Sequence, residues 1–375
     1  MVSDQPDENV AASPDRSRRS YLGLVGGVIT AGSVVSHPAM ATPSTVDLGE
    51  QGLTTGEVVD SYLEEYFVDG ATVTIPEGSY VWDGGGFAEA SENAAIIGEG
   101  DVTLELSGES FRNTIRAESG TIELRNVTVR GKPSEKSHFR LETAEDAVIV
   151  VDNVNFPDGA EDESKCRPFY VPRDHAGTVD IRNCYFKGFS DNGIYASSPG
   201  YDDGAGGRVI IENCVSHNNN IAGIRIGSDD SVVRNCLVVN DGPAPESRRE
   251  QVNMRGIRVR NPGENILIED CEIRQSYENA SSAIELHEGA EGGSGTIVNV
   301  TIYNNSSSEA IEEEDDVADG WEATGVEITG AGDLSYPENF ESVCVGGDCV
   351  EPLADTDTRI REVLSAEVDP KLRVQ

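Results

Sequence analysis

Lysine is nearly missing from this chain: 5 lysines stand beside 23 arginines, and the 28 basic residues face 68 acidic ones. The resulting net charge of −40 leaves no basic stripe able to displace counterions, which excludes nucleic acid as a partner. An acidic disordered chain is excluded too, because the carboxylates interleave with well-patterned Val/Ile strands. Carboxylates spread evenly along a lysine-poor chain predict a surface kept hydrated in very high salt, where self-repulsion is screened. Long apolar runs are also absent. The longest, Leu22 to Val35, is fourteen residues with four glycines, too short to span a bilayer. Histidine is scarce, and His37, His138, His175, His217 and His287 are the whole supply.

The run from Leu22 follows Ser17-Arg18-Arg19-Ser20-Tyr21, and Ala39-Met40-Ala41 after it supplies a small-x-small cleavage pattern. The twin arginine before an aromatic and a leucine resembles a twin-arginine (Tat) export signal. We therefore expect a signal peptide over residues 1–41 and a soluble, secreted, halophilic protein. Seven cysteines fit that compartment in two ways. Cys344 and Cys349 would close a small loop as a disulfide. Cys184, Cys214, Cys236 and Cys271 sit at equivalent positions and are expected as packed free thiols, although bridges between neighbours lie within reach.

What the chain has in abundance is a repeat. Gly193-Ile194-Tyr195, Gly223-Ile224-Arg225, Gly256-Ile257-Arg258, Ala283-Ile284-Glu285 and Ala310-Ile311-Glu312 each open a short strand, with isoleucines 30, 33, 27 and 27 residues apart. Other strands end in Asn183-Cys184, Asn213-Cys214, Asn235-Cys236 and Asp270-Cys271, or in the looser Asn126-Val127, Asn153-Val154 and Asn299-Val300. A period near thirty, built of alternating strands and Gly/Asn/Asp turns, is a stacking unit that cannot bury its own apolar face. Asparagine at each bend can take a left-handed backbone and pair its amide with the next coil's. Residues 72–332 then give roughly nine coils. Residues 42–71 form a cap whose helix, from Thr54 to Phe67, carries an apolar stripe of Val58, Tyr62, Leu63, Tyr66 and Phe67. Residues 333–375 form a second cap or tail, with a short helix over Thr358–Leu364.

An opening helix, then Ile75-Pro76-Glu77-Gly78-Ser79-Tyr80, then Gly-Ile rungs with an Asn ladder, resembles the right-handed parallel β-helix of the pectate-lyase-like superfamily, in a haloarchaeal style. The resemblance covers nearly all of the chain after residue 41. It implies an all-β, single-stranded solenoid and a groove holding an extended polysaccharide. It also implies a choice among lyase, hydrolase, epimerase, esterase and non-catalytic roles, with calcium as a possible cofactor.

Within the rung-opening strands the Ile and the residue two further on point inward, and the residue between them points out. The outward positions read Arg140, Tyr170, Tyr195, Arg225, Arg258, Glu285 and Glu312, with Arg260 and His287 one pleat on. Guanidinium forks bind uronate or sulfate bidentately and tyrosine faces stack on sugar rings, so this row suits an acidic polysaccharide or cell-surface glycan. The competing reading is an ion ladder in which Arg258 pairs with Glu285 and the tyrosines pack under loops.

A polygalacturonase-type hydrolase needs converging aspartates, and Asp191 has no counterpart at Ile221-Ala222 in the next rung. A uronate lyase or C5-epimerase needs a cation for the developing enolate and a base. Arg225 and Arg258 suit the first role and His287 or Tyr195 the second, with Glu285 beside them and Arg140, Tyr170, Arg260 and Glu312 as binding residues. Asp202-Asp203 and Asp229-Asp230 are the candidate calcium ligands. The leading expectation is a lyase or epimerase on an acidic polysaccharide. The alternatives are a non-catalytic carbohydrate-binding or envelope β-helix, decorated at the sequons of Asn279, Asn299, Asn304 and Asn305, and a protein that assembles laterally. Nothing in the sequence sets the oligomeric state.

Overall fold

The computed structural model describes residues 44–346 and Thr358. The twin-arginine segment, Cys349 and all of the C-terminal helix but Thr358 lie outside the described residues. Within them the chain is a right-handed parallel β-helix of about 11 turns, two more than the strand count of the sequence suggests. The difference begins at the N-terminal end. Ser44–Asp47 pairs in parallel with Ala71–Ile75 there, and at the other end Ser342–Val345 pairs in parallel with Trp321–Thr329, so segments assigned to both caps already stack as rungs. The strands form one 19-stranded set, bent at the asparagine corners, and one 8-stranded sheet. Every pairing between named strands is parallel and joins one coil to the next.

A single coil shows why. Arg255–Val259 belongs to the 8-stranded sheet, and Ile266–Glu269 and Glu272–Gln275 to the larger set. One coil on, Ile257 lies against Ile284, Ile268 against Ile297 and Ile273 against Ile302. Each inward side chain therefore rests on its own kind, and all six are fully buried. Burying such a side chain is worth roughly 1.5–3 kcal/mol, a gain no isolated coil could collect. Towards the N-terminus phenylalanines take over the columns, Phe111 stacking on Phe156 with centroids 5.9 Å apart.

The corners depend on two amide ladders. Asn126, Asn153, Asn183, Asn213, Asn235, Asp270 and Asn299 all have positive φ between 49° and 57°, a conformation in which Asn and Asp are the least strained non-glycine residues. Their amides donate along the stack, Asn153 Nδ2 to Asn126 Oδ1 at 3.2 Å and Asn299 Nδ2 to Asp270 Oδ1 at 3.2 Å. The ladder slips once, where Asn183 Nδ2 donates to Asp152 Oδ1 at 2.8 Å. The second ladder is fully buried. Asn240 Nδ2 donates to Met254 O and to Gln275 Oε1, Gln275 Nε2 to Ser282 O, and Asn304 Nδ2 to Ser308 O. The carbonyls of Met254, Ser282 and Ser308 lie shortly before Arg255, Ile284 and Ile311, where strands of the 8-stranded sheet begin, so the amides tie down the approach to those strands. Asn304 is thus buried and committed to structure, while Asn299 stays exposed at its corner.

The Gly-Ile and Ala-Ile openings follow from the same corner. A Cβ on Gly223 would lie 2.7 Å from Ser216 Oγ and Val238 Cγ1, and one on Gly256 2.2 Å from Ala283 O. The chain turns too close to the preceding strands to carry a larger side chain. The cap helix is shorter than its stripe predicts, Asp60–Tyr66. Val58 forms a bridge to Val81 and stays exposed, while Val59, Leu63 and Phe67 are buried. Gly56, at φ +88°, breaks the predicted first turn. A strap of loop also runs along the stack: Glu163 N donates to Glu246 O and Glu246 N to Asp162 Oδ1, each at 2.9 Å.

Cys184, Cys214, Cys236 and Cys271 are free and buried, each thiol pointing at the carbonyl two residues back at 3.1–3.3 Å. Burial pushes the thiols of Cys214, Cys236 and Cys271 well above their ordinary value. Cys166 is free and buried as well, its Sγ donating to Glu135 O at 2.7 Å. Cys344 is disulfide-bonded.

Two outcomes follow. In the folded protein the five free thiols should resist iodoacetamide, and all five should react after unfolding; rapid native-state alkylation of the ladder would contradict it. Gly256→Ala should lower stability by about 1–3 kcal/mol in denaturant titration, because the added methyl meets backbone that cannot yield.

Candidate functional site

The parallel register sets one outward residue per coil into a line along the 8-stranded sheet. Arg140 lies opposite Tyr170, Tyr170 opposite Tyr195, Tyr195 opposite Arg225, Arg225 opposite Arg258, Arg258 opposite Glu285 and Glu285 opposite Glu312. Adjacent members stand roughly 4.8 Å apart. Their inward neighbours Ile194, Ile224, Ile257, Ile284 and Ile311 are fully buried, so the alternation leaves the row no other direction.

The middle of the row is an aromatic–guanidinium stack. The Tyr170 and Tyr195 rings meet edge to face with centroids 5.3 Å apart. Arg167 lies 4.8 Å from the Tyr170 ring and 4.9 Å from that of Tyr195, and Arg225 lies 4.1 Å from Tyr195. Arg167 Nη1 donates to Asp191 Oδ2 at 2.7 Å and Arg225 Nε to Ser197 Oγ at 2.9 Å. Burial pushes the Tyr195 phenol up, but Arg225 and Arg167 outweigh it; with a hydrogen bond to Tyr201 they hold the phenol below its ordinary value. Tyr201 moves up, through burial and the charge developing on Tyr195. Of this pair, Tyr195 ionises first. Arg173 covers Tyr201 at 4.1 Å from the ring and pairs with Asp203.

Further along, Glu285 is buried between two cations. Arg255 Nε donates to Glu285 Oε1 at 2.7 Å, and Arg258 Nε contacts Glu285 Oε2. Burial still pushes the Glu285 carboxyl above its ordinary range, although Arg258 and Arg255 pull it down. Thus the Arg258–Glu285 pair of the ion-ladder reading is present. His287 accepts a hydrogen bond at Nδ1 from Gly289 N at 2.9 Å, and its Nε2 lies 3.5 Å from Glu314 Oε2. The neutral ring therefore carries its proton on Nε2, as a donor; neither nitrogen is placed to take a proton. Burial and the guanidiniums of Arg258, Arg260, Arg225 and Arg255 lower its pKa to about 3.

Asp202, Asp203, Asp229 and Asp230 do not form a metal cluster. Asp203 is held by Arg173, and Asp229 Oδ1 accepts from Glu264 N at 2.9 Å. Among the described residues the close-set donor groups are instead His287, Glu288 and Glu314, and Glu285, Glu312 and Glu314. Calcium takes six to eight oxygens. Here Glu285 is already neutralised by two arginines, and Arg225, Arg258 and Arg260 would repel a dication along the rest of the row. The residues present do not fit calcium at this row. Two concavities, lined by Asp162, Glu163 and Pro243–Glu246 and by Asn235–Cys236, Asp270–Glu272, Asn299 and Thr301, lie away from it.

Sequence reasoning missed Arg167, Tyr201 and Arg255. Arg167 precedes Tyr170 by three residues in a strand whose register shifts between Cys166 and Phe169, so the alternation hid it. Tyr201 sits in a loop, where no periodicity applies. Arg255 precedes Gly256 at the corner, outside the alternating part of its strand.

The family described as right handed beta helix region matches residues 170–335. No curated protein matches the chain. Among solved structures, the A-module of the mannuronan C-5 epimerase AlgE4 of Azotobacter vinelandii is similar at 14% identity and a TM-score of 0.40, covering 80% of this chain and 100% of that one. A PL6 family polysaccharide lyase of Pseudopedobacter saltans is similar at 13% identity and 0.37, over 78% and 92%. A family 28 exopolygalacturonase of Yersinia enterocolitica is similar at 11% and 0.32, over 81% and 78%. Likeness at this level assigns no residue a role.

The histidines of the row make a pH prediction. His138, also buried, has its pKa lowered to about 2 by burial and by Arg167, Lys136, Arg112 and Arg140. Above the ordinary value of 6.5 both rings are neutral in either state; as pH falls below it, the unfolded chain takes up protons that the folded rings refuse. Stability is therefore lost toward acid, by about 1.4 kcal/mol per pH unit for each ring. His138→Gln should flatten the slope between about pH 4 and about pH 6 by that amount in denaturant titrations at constant salt. An unchanged slope would mean that the folded ring protonates normally.

Proposed function

We propose that the row acts on an acidic polysaccharide by removing the proton α to a uronate carboxylate, as a lyase or C5-epimerase. The observation that carries this reading is Tyr195, clamped between Arg167 and Arg225 with its phenol below the ordinary value. A base poised to ionise, flanked by cations that can neutralise the enolate, is what this chemistry requires.

In the proposed step the Tyr195 oxygen takes the proton from C5, and the electron pair of that bond delocalises into the carboxylate. Arg225, with Arg258 one coil away, holds that carboxylate and offsets the second negative charge. For a lyase the pair then forms the C4–C5 double bond as the C4–O bond breaks, and Tyr195 returns the proton to the departing oxygen. For an epimerase a solvent water delivers a proton to the opposite face of C5, and Tyr195 gives up the proton it took to the hydroxide left behind. Tyr201 hydrogen-bonds Tyr195 and stabilises its ionised form. His287, a donor through Nε2, suits binding better than proton abstraction. Hydrolysis is disfavoured, since Asp191 is engaged by Arg167.

One observation favours a non-catalytic carbohydrate-binding protein as the second reading: Arg258 is only 4% exposed and is bound to Glu285. We further propose that the protein works outside the cell in high salt. The twin-arginine segment and the lysine-poor acidic composition support this.

The test is absorbance of the unsaturated uronate, with NMR for C5 inversion, on pectate, alginate and hyaluronan in multimolar salt. Tyr195→Phe should lower kcat by at least about 100-fold with folding unchanged. Arg225→Ala should reduce kcat/KM by at least a similar factor. Full activity in Tyr195→Phe would sink the mechanism. Binding by wild type without turnover on any polymer would favour the second reading.

A further inference from the structure

The outward row changes sign along its length. From the coil of Arg140 to that of Arg258 it carries arginines and tyrosines; from Glu312 onward it carries carboxylates. The change is abrupt because Glu285, the intervening acid, is already neutralised by Arg255 and Arg258. Glu312 and Glu314 have no Lys or Arg ion pair among the described residues. Glu314 Oε2 also accepts from Glu288 N at 3.2 Å.

The opposite end is built to receive a sugar. His138 stands two residues before Arg140 on the same strand, is 7% exposed, and has no hydrogen-bond partner for its Nδ1 among the described residues. Its ring meets Tyr170 edge to face with centroids 5.5 Å apart, and Arg140 lies 5.7 Å from the same tyrosine. A buried imidazole nitrogen with no partner is costly unless a ligand hydroxyl or water satisfies it. Beside it are the Tyr170 ring and the Arg140 guanidinium, which already contacts Glu142 and Asp174; aromatic faces stack on sugars and guanidiniums hold carboxylates.

We propose that the row holds an acidic glycan by one chain end. The chain lies over the coils from His138 and Arg140 to Arg258, and Glu312 and Glu314 prevent the next anionic unit from continuing past them. This rests on the acidic-polysaccharide reading above and adds direction and end-specificity to it. The repulsive element matters as much as the attractive one, since a uniformly cationic row would accept the interior of any polyanion.

The test is the binding of reducing-end-labelled oligomannuronates and oligogalacturonates of defined length, by fluorescence anisotropy. For wild type, affinity should rise with length and then level off once the coils from His138 to Arg258 are filled. The double variant E312Q/E314Q should continue to gain beyond that length, by about tenfold for the longer oligomers, while the shortest bind as before. His138→Ala should weaken by about tenfold only those oligomers long enough to reach it. Affinity that climbs with length in wild type without levelling, or a length dependence untouched by E312Q/E314Q, would overturn end-specificity alone. Failure of every oligouronate to bind wild type would overturn the acidic-polysaccharide reading with it.

Discussion

Parallel register is the constraint on which this molecule depends. Each strand takes its hydrogen bonds from the coil before and gives them to the coil after, so a residue's position is inherited along the stack. The same inheritance that puts Ile224 on Ile257 inside puts Arg225 on Arg258 outside. A slip of one residue would turn the isoleucines out and the arginines in. Core and candidate site are two sides of one pattern, and neither can be altered in a coil without consequence for the other.

That coupling explains which features were legible in the sequence. The outward row from Arg140 to Glu312 could be read residue by residue because period-two alternation is strict within short strands held to a buried face. The left-handed asparagines were legible for an equally local reason: few residues tolerate that backbone. Tyr201, Arg167 and Arg255 were not legible. Each reaches the row from a loop, a shifted register or a corner, where position is set by tertiary contacts and not by periodicity. The calcium ligands failed for a compositional reason. In a chain this acidic, adjacent aspartates are frequent, and the pair at Asp202-Asp203 proves to serve an arginine instead.

The buried amides Asn240, Gln275 and Asn304 show how structural and functional demands meet. Their donors go to carbonyls shortly before strands of the 8-stranded sheet, so they tie down the approach to the strands that carry the outward row. Burying such amides is tolerable because their donors find backbone carbonyls. The arginines of the row are handled differently, by aromatic faces and by carboxylates.

The strap from Asp162 and Glu163 to Glu246 carries a consequence for how the molecule comes apart. A stack whose members touch only their neighbours can fray from either end, one coil at a time. Here a loop leaving one coil is hydrogen-bonded to a loop some eighty residues away, and the coils between them carry Tyr195 and Arg225. Those coils cannot peel away singly without first releasing the strap. The segment bearing the clamped tyrosine is thereby made one cooperative block, and unravelling that starts at a terminus is halted before it reaches the clamp.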